Sequence, residues 1–201
     1  EGSVLCQPCR SDMKKAVARC YCCHKAAEGN FTCRACRRRS PLIRVQAAHR
    51  YEDKAKAVVW RLKFDRAKAA HADVAASMAP LFKELSAEVI ITHIPTATSR
   101  IRRRGYDQAS LIARACAQQA RLSYTPLLLR QGQQRQVGAK RQERAQQLAQ
   151  AFLPLRVSRI TGAHIVLVDD VITTGATLEA AAKTLQAAGA KSVEAIVFAQ
   201  A

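Results

Sequence analysis

The segment best equipped for chemistry runs from Ile165 to Thr177. Four apolar residues, Ile165–Val168, predict a buried strand, and two adjacent carboxylates, Asp169 and Asp170, follow it. Ligands of open α/β sheets bind at the carboxyl ends of the strands. A turn rich in threonine then opens a helix, so its N–H groups, its hydroxyls and the helix dipole favour a phosphate monoester. The predicted phosphate-binding residues are Thr173, Thr174, Gly175, Ala176 and Thr177.

The alternative for this segment is an acidic strand end followed by a threonine that caps a helix. Neither a P-loop lysine nor a G-x-G-x-x-G pattern occurs in the segment, which argues against nucleoside triphosphates and dinucleotides as ligands.

A second chemical cluster is the cysteine-rich start of the chain, where seven of the eight cysteines precede residue 37. Two C-x2-C pairs can each form a tight knuckle, and two knuckles complete a tetrahedral four-thiolate zinc site. The predicted ligands are Cys20, Cys23, Cys33 and Cys36. Because such a site has no open position for water, we expect a structural rather than a catalytic metal. The alternative is a set of reduced free thiols.

A further pair, Cys6 and Cys9, cannot close a tetrahedron alone. These two thiols are candidate ligands of a second metal if an upstream cysteine pair, which this sequence lacks, supplies the rest. The alternative is that they share Cys22 or His24. Cys116 falls inside an apolar helical pattern and is expected to be a small core residue.

The charge balance is strongly basic, with 33 Lys and Arg against 15 Asp and Glu, for a formal net charge of +18. Such a field attracts polyanions, and nucleic acid is the most abundant of them in a cell. Arginines cluster at Arg37, Arg38 and Arg39, which we predict to contact nucleic-acid phosphates, and again at Arg100 and Arg102–Arg104. The alternative is a solvated basic surface that aids solubility.

The elements that must position these residues alternate between helix and strand. Helical spacing is predicted around Ala55–Leu62, Val74–Phe82 and Tyr106–Ala120, and strands around Val89–Ile91, Pro126–Leu129 and Val193–Phe198, with a helix over Leu178–Ala188. This order predicts an α/β domain with a covered parallel sheet. Residues 131–140 predict a long loop that a polar helix follows to about Gln150.

The chain of 201 residues is long enough for one α/β domain and a small appendage. We therefore predict a zinc ribbon over residues 1–40, truncated at its N-terminus, and an α/β domain over 41–201. No apolar run approaches the roughly 20 residues that a membrane span needs, and the start has no signal-peptide block. We expect a cytoplasmic protein without membrane insertion.

The segment from Ile165 to Thr177 resembles the phosphoribosyl pyrophosphate (PRPP) signature of type I phosphoribosyltransferases. The resemblance implies that Asp169 and Asp170 face the ribose hydroxyls and that the turn from Thr173 to Thr177 wraps the 5-phosphate. It also implies a type I phosphoribosyltransferase-like sheet and Mg²⁺ bound together with PRPP. Enzymes of this class that act on purines typically carry an acid at the position of Thr173, so no general base is evident here.

The rest of the chain resembles the ComF/GntX family, in which a zinc ribbon precedes a phosphoribosyltransferase-like domain. The resemblance rests on the cysteine knuckles, on Arg61–Phe64, on Ile94-Pro95 and on Arg102–Gln108, with further matches at Arg130, Gln136, Arg141 and Arg144. Two departures are Asp107 and Gln147, where the family usually has asparagine. The family is linked to natural transformation, which implies single-stranded DNA and other DNA-uptake or recombination proteins as partners.

Three functions follow from these patterns. The first is an active phosphoribosyltransferase on a nucleobase-like acceptor without a direct DNA role. Its leaving pyrophosphate would be stabilised by Ser99, Arg100, Arg102, Arg103 and Arg104 and by the loop residues Arg135, Lys140 and Arg141. The second is a protein of DNA uptake that binds PRPP and handles single-stranded DNA without turnover. The third, a purely structural adaptor, leaves the PRPP signature unexplained.

Overall fold

A computed structural model describes Leu5 and residues 7–64, 68–131 and 150–201. Its centre is a sheet of five parallel strands in the order β1-β7-β6-β2-β3. A separate antiparallel pair, β4 and β5, lies outside that sheet. The strands are β1 (Val45–Arg50), β2 (Ile90–His93), β3 (Ser123–Tyr124), β4 (Leu128–Arg130), β5 (Phe152–Pro154), β6 (His164–Ile172) and β7 (Ser192–Gln200).

Helices cover both faces of the sheet, as the alternating pattern predicted. They are α1 (Gln7–Ser11), α2 (Arg34–Arg37), α3 (Asp53–Phe64), α4 (Ala70–Met78), α5 (Thr98–Arg104), α6 (Gln108–Ala120), α7 (Val157–Ile160) and α8 (Ala176–Ala187), with short 3-10 turns at Glu28–Asn30 and Ala79–Phe82. Within the described ranges, no helix is both long and apolar enough to cross a bilayer.

The middle strand, β6, is buried on both faces over Ile165–Val168, because these four residues are all apolar. Side chains of a strand alternate between its faces, so Val166 and Val168 of β6 pack in one core cluster, while Ile165 and Leu167 pack in the other. Cys116 of α6 is 1% exposed and lies in the first cluster, as predicted for a core residue.

Strand β1 was not predicted, because its sequence, VQAAHR, has no alternation of apolar and polar residues. Pairing creates it: Val45 lies opposite Ala195 of β7, and the ladder continues to Arg50. Other boundaries also shift. β6 continues to Ile172 instead of ending at Val168, because β7 still pairs with it there. Arg100 to Arg104, for which no helix was predicted, form most of the short helix α5.

The cysteine-rich start of the chain packs directly on the sheet. Leu5 and Met13 belong to the core on one face, and Tyr21 and Leu42 belong to the core on the other. The Ile43 N–H also donates to the Val193 carbonyl of β7. The first 40 residues therefore share apolar contacts with the α/β unit, and the boundary at residues 40 and 41 stays a prediction.

Candidate functional site

The two carboxylates lie in the second half of β6, past the end of its neighbour β2. The pairing of β2 with β6 ends where His93 lies opposite Val168, whereas the pairing with β7 continues to Ile172. Asp169 is half-buried and Asp170 is buried. Both carboxylates therefore lie beyond the carboxyl end of β2. Ligands of α/β folds bind at this end of the parallel strands.

Asp170 accepts hydrogen bonds from a lysine and a glutamine that lie on two different helices. The Lys63 Nζ of α3 donates to Asp170 Oδ1 at 3.0 Å, and the Gln108 Nε2 of α6 donates to Asp170 Oδ2 at 3.4 Å. Only 5% of the Asp170 side chain is exposed, so the ammonium group compensates a carboxylate largely withdrawn from water. In the sequence, Lys63 and Gln108 stand out only as members of two segments that resemble the ComF/GntX family.

Asp169 is held by the backbone of its neighbour and is influenced by that neighbour's charge. Its Oδ1 accepts the backbone N–H of Asp170 at 2.8 Å. Burial first, and then the negative charge of Asp170, raise the pKa of Asp169 to about 8. Two carboxylates this close share one electrostatic environment, so a ligand that brings positive charge or hydroxyl donors to them would relieve their repulsion.

Helix α5 presents its arginines in two ways. The side chain of Arg104 is 7% exposed, and its Nη1 donates to Gln108 Oε1 at 2.8 Å. Burial lowers the pKa of Arg104, while the charge of Asp170 opposes that shift. Among the described residues, Arg104 Nε has no hydrogen-bond partner. The exposed residues of the same predicted pyrophosphate cluster are Ser99, Arg100, Arg102 and Arg103.

A second guanidinium approaches the carboxylates from β4. Arg130 is half-buried and lies over the Phe152 ring of β5, with 5.4 Å from Cζ to the centroid. Burial first, and then the charge of Arg100, lower the pKa of Arg130, whereas Asp169 raises it. Arg130 is thus close enough to both Arg100 and Asp169 to interact with each of them electrostatically.

The predicted phosphate loop joins β6 to α8. Its residues Thr173, Thr174 and Ala176 are exposed, and with their neighbours they line a cavity of about 50 Å³ that Asp169 also borders. Gly175 has a φ of +79° and caps α8, a conformation that glycine adopts without steric cost. The arrangement places the N–H groups and hydroxyls of this exposed loop beside the positive end of a helix of 12 residues.

Asp107, one of the family departures, has a structural role. Its Oδ1 accepts the N–H groups of Ala109 and Ser110 at the start of α6, at 3.1 and 3.2 Å. The N–H of Thr96 also donates to Asp107 Oδ2 at 2.9 Å. Asp107 therefore connects the turn before α5 to the start of α6. His93 is buried and bonds Tyr124 through Nδ1 at 2.9 Å, in line with a packed role.

The four cysteines of the predicted ribbon come together. The Sγ atoms of Cys20, Cys23, Cys33 and Cys36 all lie within 4.8 Å of one another. The Sγ atoms of Cys23 and Cys33 are 3.7 Å apart, close to the roughly 3.8 Å that two thiolates of a tetrahedral site with bonds of about 2.3 Å would show. This cluster could hold a metal ion.

The backbone prepares Cys20 to ionise. Burial raises its pKa, but the N–H groups of Cys33, Cys23 and Cys22 outweigh burial and bring the pKa down to about 6. A thiol must lose its proton to bind a metal, so these N–H groups favour the ligand form. Cys22 and His24 are exposed and belong to no such cluster within the described ranges.

Tyr21 connects this cluster to the phosphate loop, and sequence analysis missed it. It follows Cys20 directly, is 2% exposed, and donates its hydroxyl to Glu179 Oε1 in the first turn of α8 at 3.0 Å. Its hydroxyl also bonds Ser40. A Cβ on Gly175 would come within 3.0 Å of the Tyr21 ring. An aromatic residue inside a cysteine knuckle was the only signal in the sequence.

The remaining predicted residues divide into two groups. Three arginines, Arg37, Arg38 and Arg39, are exposed at the end of α2 and directly follow the last cysteine of the cluster. In the sequence they lie far from the two carboxylates. Other predictions fall outside the described residues or their described side chains, namely those for Cys6, Cys9, Arg135, Lys140 and Arg141, and the predicted loop and polar helix of residues 132–149.

Comparison with known proteins identifies relatives of the chain. Competence protein ComFC of Bacillus subtilis (strain 168) is 29% identical over 193 residues, which cover 90% of this chain and 77% of that protein. Among solved structures, glutamine PRPP amidotransferase from B. subtilis, complexed with ADP and GMP, is 19% identical with a TM-score of 0.46. The hypoxanthine phosphoribosyl transferase of Trypanosoma cruzi is 16% identical with a TM-score of 0.37.

These matches cover the two structures unequally. The amidotransferase aligns with 64% of this chain but with only 26% of its own length, and the T. cruzi enzyme aligns with 66% and 64%. A family model described as the phosphoribosyl transferase domain matches residues 74–201, which include β6, its carboxylates and the loop before α8. On that match, the chain belongs to the phosphoribosyl transferase domain family, and its likeness to ComFC makes it a ComF-like member.

Proposed function

We propose that this protein binds PRPP together with Mg²⁺ and handles single-stranded DNA during DNA uptake in natural transformation, in the cytoplasm. The observation that carries the proposal is the carboxylate pair of β6 beside the exposed loop before α8, with the buried Arg104 close enough to Asp170 for their charges to interact. Carboxylates accept from sugar hydroxyls, loop N–H groups bind a phosphate monoester, and a guanidinium binds a second anionic group. PRPP presents those three features in one molecule.

Each part of the site has a proposed role. Asp169 and Asp170 accept from the ribose hydroxyls, and Thr173–Thr177 bind the 5-phosphate. Arg104 receives the pyrophosphate, since its Nε has no partner among the described residues. The exposed Ser99, Arg100, Arg102 and Arg103 add donors at the mouth, and Arg135, Lys140 and Arg141 are proposed to stabilise the pyrophosphate. Mg²⁺, bound with PRPP, would neutralise pyrophosphate charge.

The metal of the cysteine cluster is proposed to be zinc. Four thiolates at tetrahedral spacing suit Zn²⁺, and no fifth group competes for it among the described residues. The site would be structural, within a ribbon of residues 1–40 that precedes the α/β domain of residues 41–201. Cys6 and Cys9 are proposed as ligands of a further zinc.

The second candidate function is an active phosphoribosyltransferase with a nucleobase-like acceptor. The basic groups around the carboxylates favour it, because they would stabilise a departing pyrophosphate and the charge of an oxocarbenium-like transition state. Measuring pyrophosphate release from PRPP, with and without an oligonucleotide, separates the two. Pyrophosphate release in the absence of DNA would favour the second function. PRPP binding without pyrophosphate release would favour the first.

The DNA part of the proposal predicts a strong dependence on salt. We expect log K for single-stranded DNA to fall with log salt at about −0.7 per phosphate neutralised. Replacing Arg37, Arg38 and Arg39 with alanine should make that slope shallower by about 2, since three phosphate contacts are lost. Fluorescence anisotropy of a labelled oligonucleotide, recorded from about 50 to 300 mM salt, measures the slope for the wild type and for the variant.

Salt-insensitive binding would contradict this electrostatic argument. Saturating Mg²⁺ and PRPP provide a second comparison, because the exposed arginines of α5 lie beside the proposed pyrophosphate site. If PRPP displaces DNA, the two ligands share those arginines. If it does not, the DNA phosphates bind away from those arginines, for example at Arg37–Arg39 at the end of α2.

A further inference from the structure

Helix α3 carries two aromatic side chains on its solvent side that no part of the proposed PRPP site uses. Its buried face consists of Ala55, Val58, Val59 and Leu62. Trp60 and Phe64, in contrast, are each 53% exposed. A single exposed aromatic residue needs no explanation, but two of them four residues apart share one side of a helix and form a common surface.

The two rings are already arranged side by side. Their centroids are 5.7 Å apart and their planes are tilted by 39°. Two guanidinium groups of α5 lie against the Phe64 ring, with Cζ of Arg103 at 6.0 Å and Cζ of Arg104 at 5.8 Å from its centroid. Cation–π contacts of this kind hold the ring in place while leaving half of it open to solvent.

The surroundings of the pair are mainly basic. Trp60 borders an open groove of about 360 Å³ whose other lining residues are Asp53, Lys56, Ala57 and Arg61. Lys56, Arg61 and Arg103 are exposed, while Asp53 is the acidic residue of the set. Exposed aromatic rings with cations around them match single-stranded nucleic acid, whose bases stack on the rings and whose phosphates bind the cations. An apolar partner protein would not need those cations.

We propose that Trp60 and Phe64 form a stacking platform for the bases of single-stranded nucleic acid, with Arg61 and Arg103 binding the adjacent phosphates. This inference rests on the proposed DNA-handling function and adds to it the place where bases are held. It adds base stacking to the phosphate contacts, which we expect to carry most of the affinity. Lys63, in the same helical turn, bonds Asp170, so a strand on the platform passes the edge of the proposed PRPP site.

The test uses the fact that the chain has one tryptophan. Oligo(dT) is titrated into the protein while tryptophan emission is recorded, and the anisotropy of a labelled oligo(dT) is followed in parallel. A base stacked on Trp60 should quench its emission, with the same midpoint as the anisotropy. An abasic oligomer of equal length retains the phosphates, so it should bind without quenching.

Substitution provides the second measurement. Trp60→Ala should weaken oligo(dT) binding about 5- to 150-fold, the effect expected for losing one stacked base, and should leave abasic binding unchanged. Phe31→Ala is the matched control, because Phe31 is also an exposed ring, 47% accessible, with Arg44 over it at 5.3 Å. It should leave oligo(dT) binding as in the wild type. PRPP titration calorimetry checks that each variant keeps its fold.

Two results would overturn the platform while leaving DNA binding intact. One is full anisotropy binding of oligo(dT) without quenching of Trp60. The other is equal oligo(dT) affinity in the wild type and in Trp60→Ala. No binding of any oligomer by the wild type at low salt would instead overturn the proposed DNA function, and the platform with it.

Discussion

Replacing both Asp169 and Asp170 with alanine is expected to abolish measurable PRPP binding. Each carboxylate would lose charge-assisted hydrogen bonds to ribose hydroxyls, and one such bond contributes about 1.5–3 kcal/mol. Two of them correspond to roughly two to four orders of magnitude in affinity. Isothermal titration calorimetry with Mg²⁺ and PRPP measures this directly. Wild-type affinity in the double variant would disprove the assignment of the site.

The control must show that lost binding is not lost folding. Asp170 is buried against Lys63, so removing it leaves an ammonium group without its partner, and some loss of stability is expected. The variant Asp169→Asn with Asp170→Asn keeps the shape and removes the charge, and it should also bind PRPP far more weakly. Alanine at Glu52 and Asp53, an adjacent acid pair at the start of α3, should leave PRPP affinity unchanged.

Removing the metal from the cysteine cluster is expected to weaken PRPP binding at least about tenfold, although no cysteine lies among the predicted PRPP ligands. Tyr21 follows the ligand Cys20 and packs against Gly175 and Glu179. Four-thiolate knuckles fold only with their metal, so the Tyr21 ring would leave the loop when the metal does. Purified, reduced protein should contain at least one zinc per chain by elemental analysis.

The experiment separates the two metals. Zinc is removed with a thiol-competing chelator, and Mg²⁺ is then restored in excess before PRPP is titrated. Cys23→Ser should lose zinc and show the same weakened PRPP binding. Cys22→Ser, next to the cluster but outside it, should keep both. Undiminished PRPP affinity in zinc-free, folded protein would show that the knuckle does not support the loop, and a zinc-free purified wild type would refute the metal site itself.

Local sequence predicted the parts of the site that are continuous in the chain. Ile165–Val168 are apolar enough to require burial, and the adjacent acids and threonines are typical of one ligand class. The helix after them ends near Gly189, as predicted, and the cysteine spacing indicated which four thiols would meet. In each case, the residues that interact lie close to one another in the sequence.

The parts that could not be predicted depend on distant partners. Lys63 reaches Asp170 across 107 residues, and Tyr21 reaches Glu179 across 158. Neither residue differs locally from a surface lysine or a core tyrosine. Arg104 was predicted as a pyrophosphate ligand from the arginine cluster alone, and its burial against Gln108 could not be read from that cluster. Strand β1 has no periodicity of its own and exists because β7 offers it an edge.

That edge also imposes an order on how the protein is made. Of the described strands, β1 is synthesised first and β7 last, and Arg44, next to β1, pairs with Glu194 of β7 across 150 residues. Contacts between such distant segments form slowly. On the ribosome, the cysteine knuckles can fold as soon as they emerge, but Tyr21 and β1 must wait for nearly the whole chain. During that interval the Tyr21 ring and the buried side chain of Val45 stay exposed to solvent.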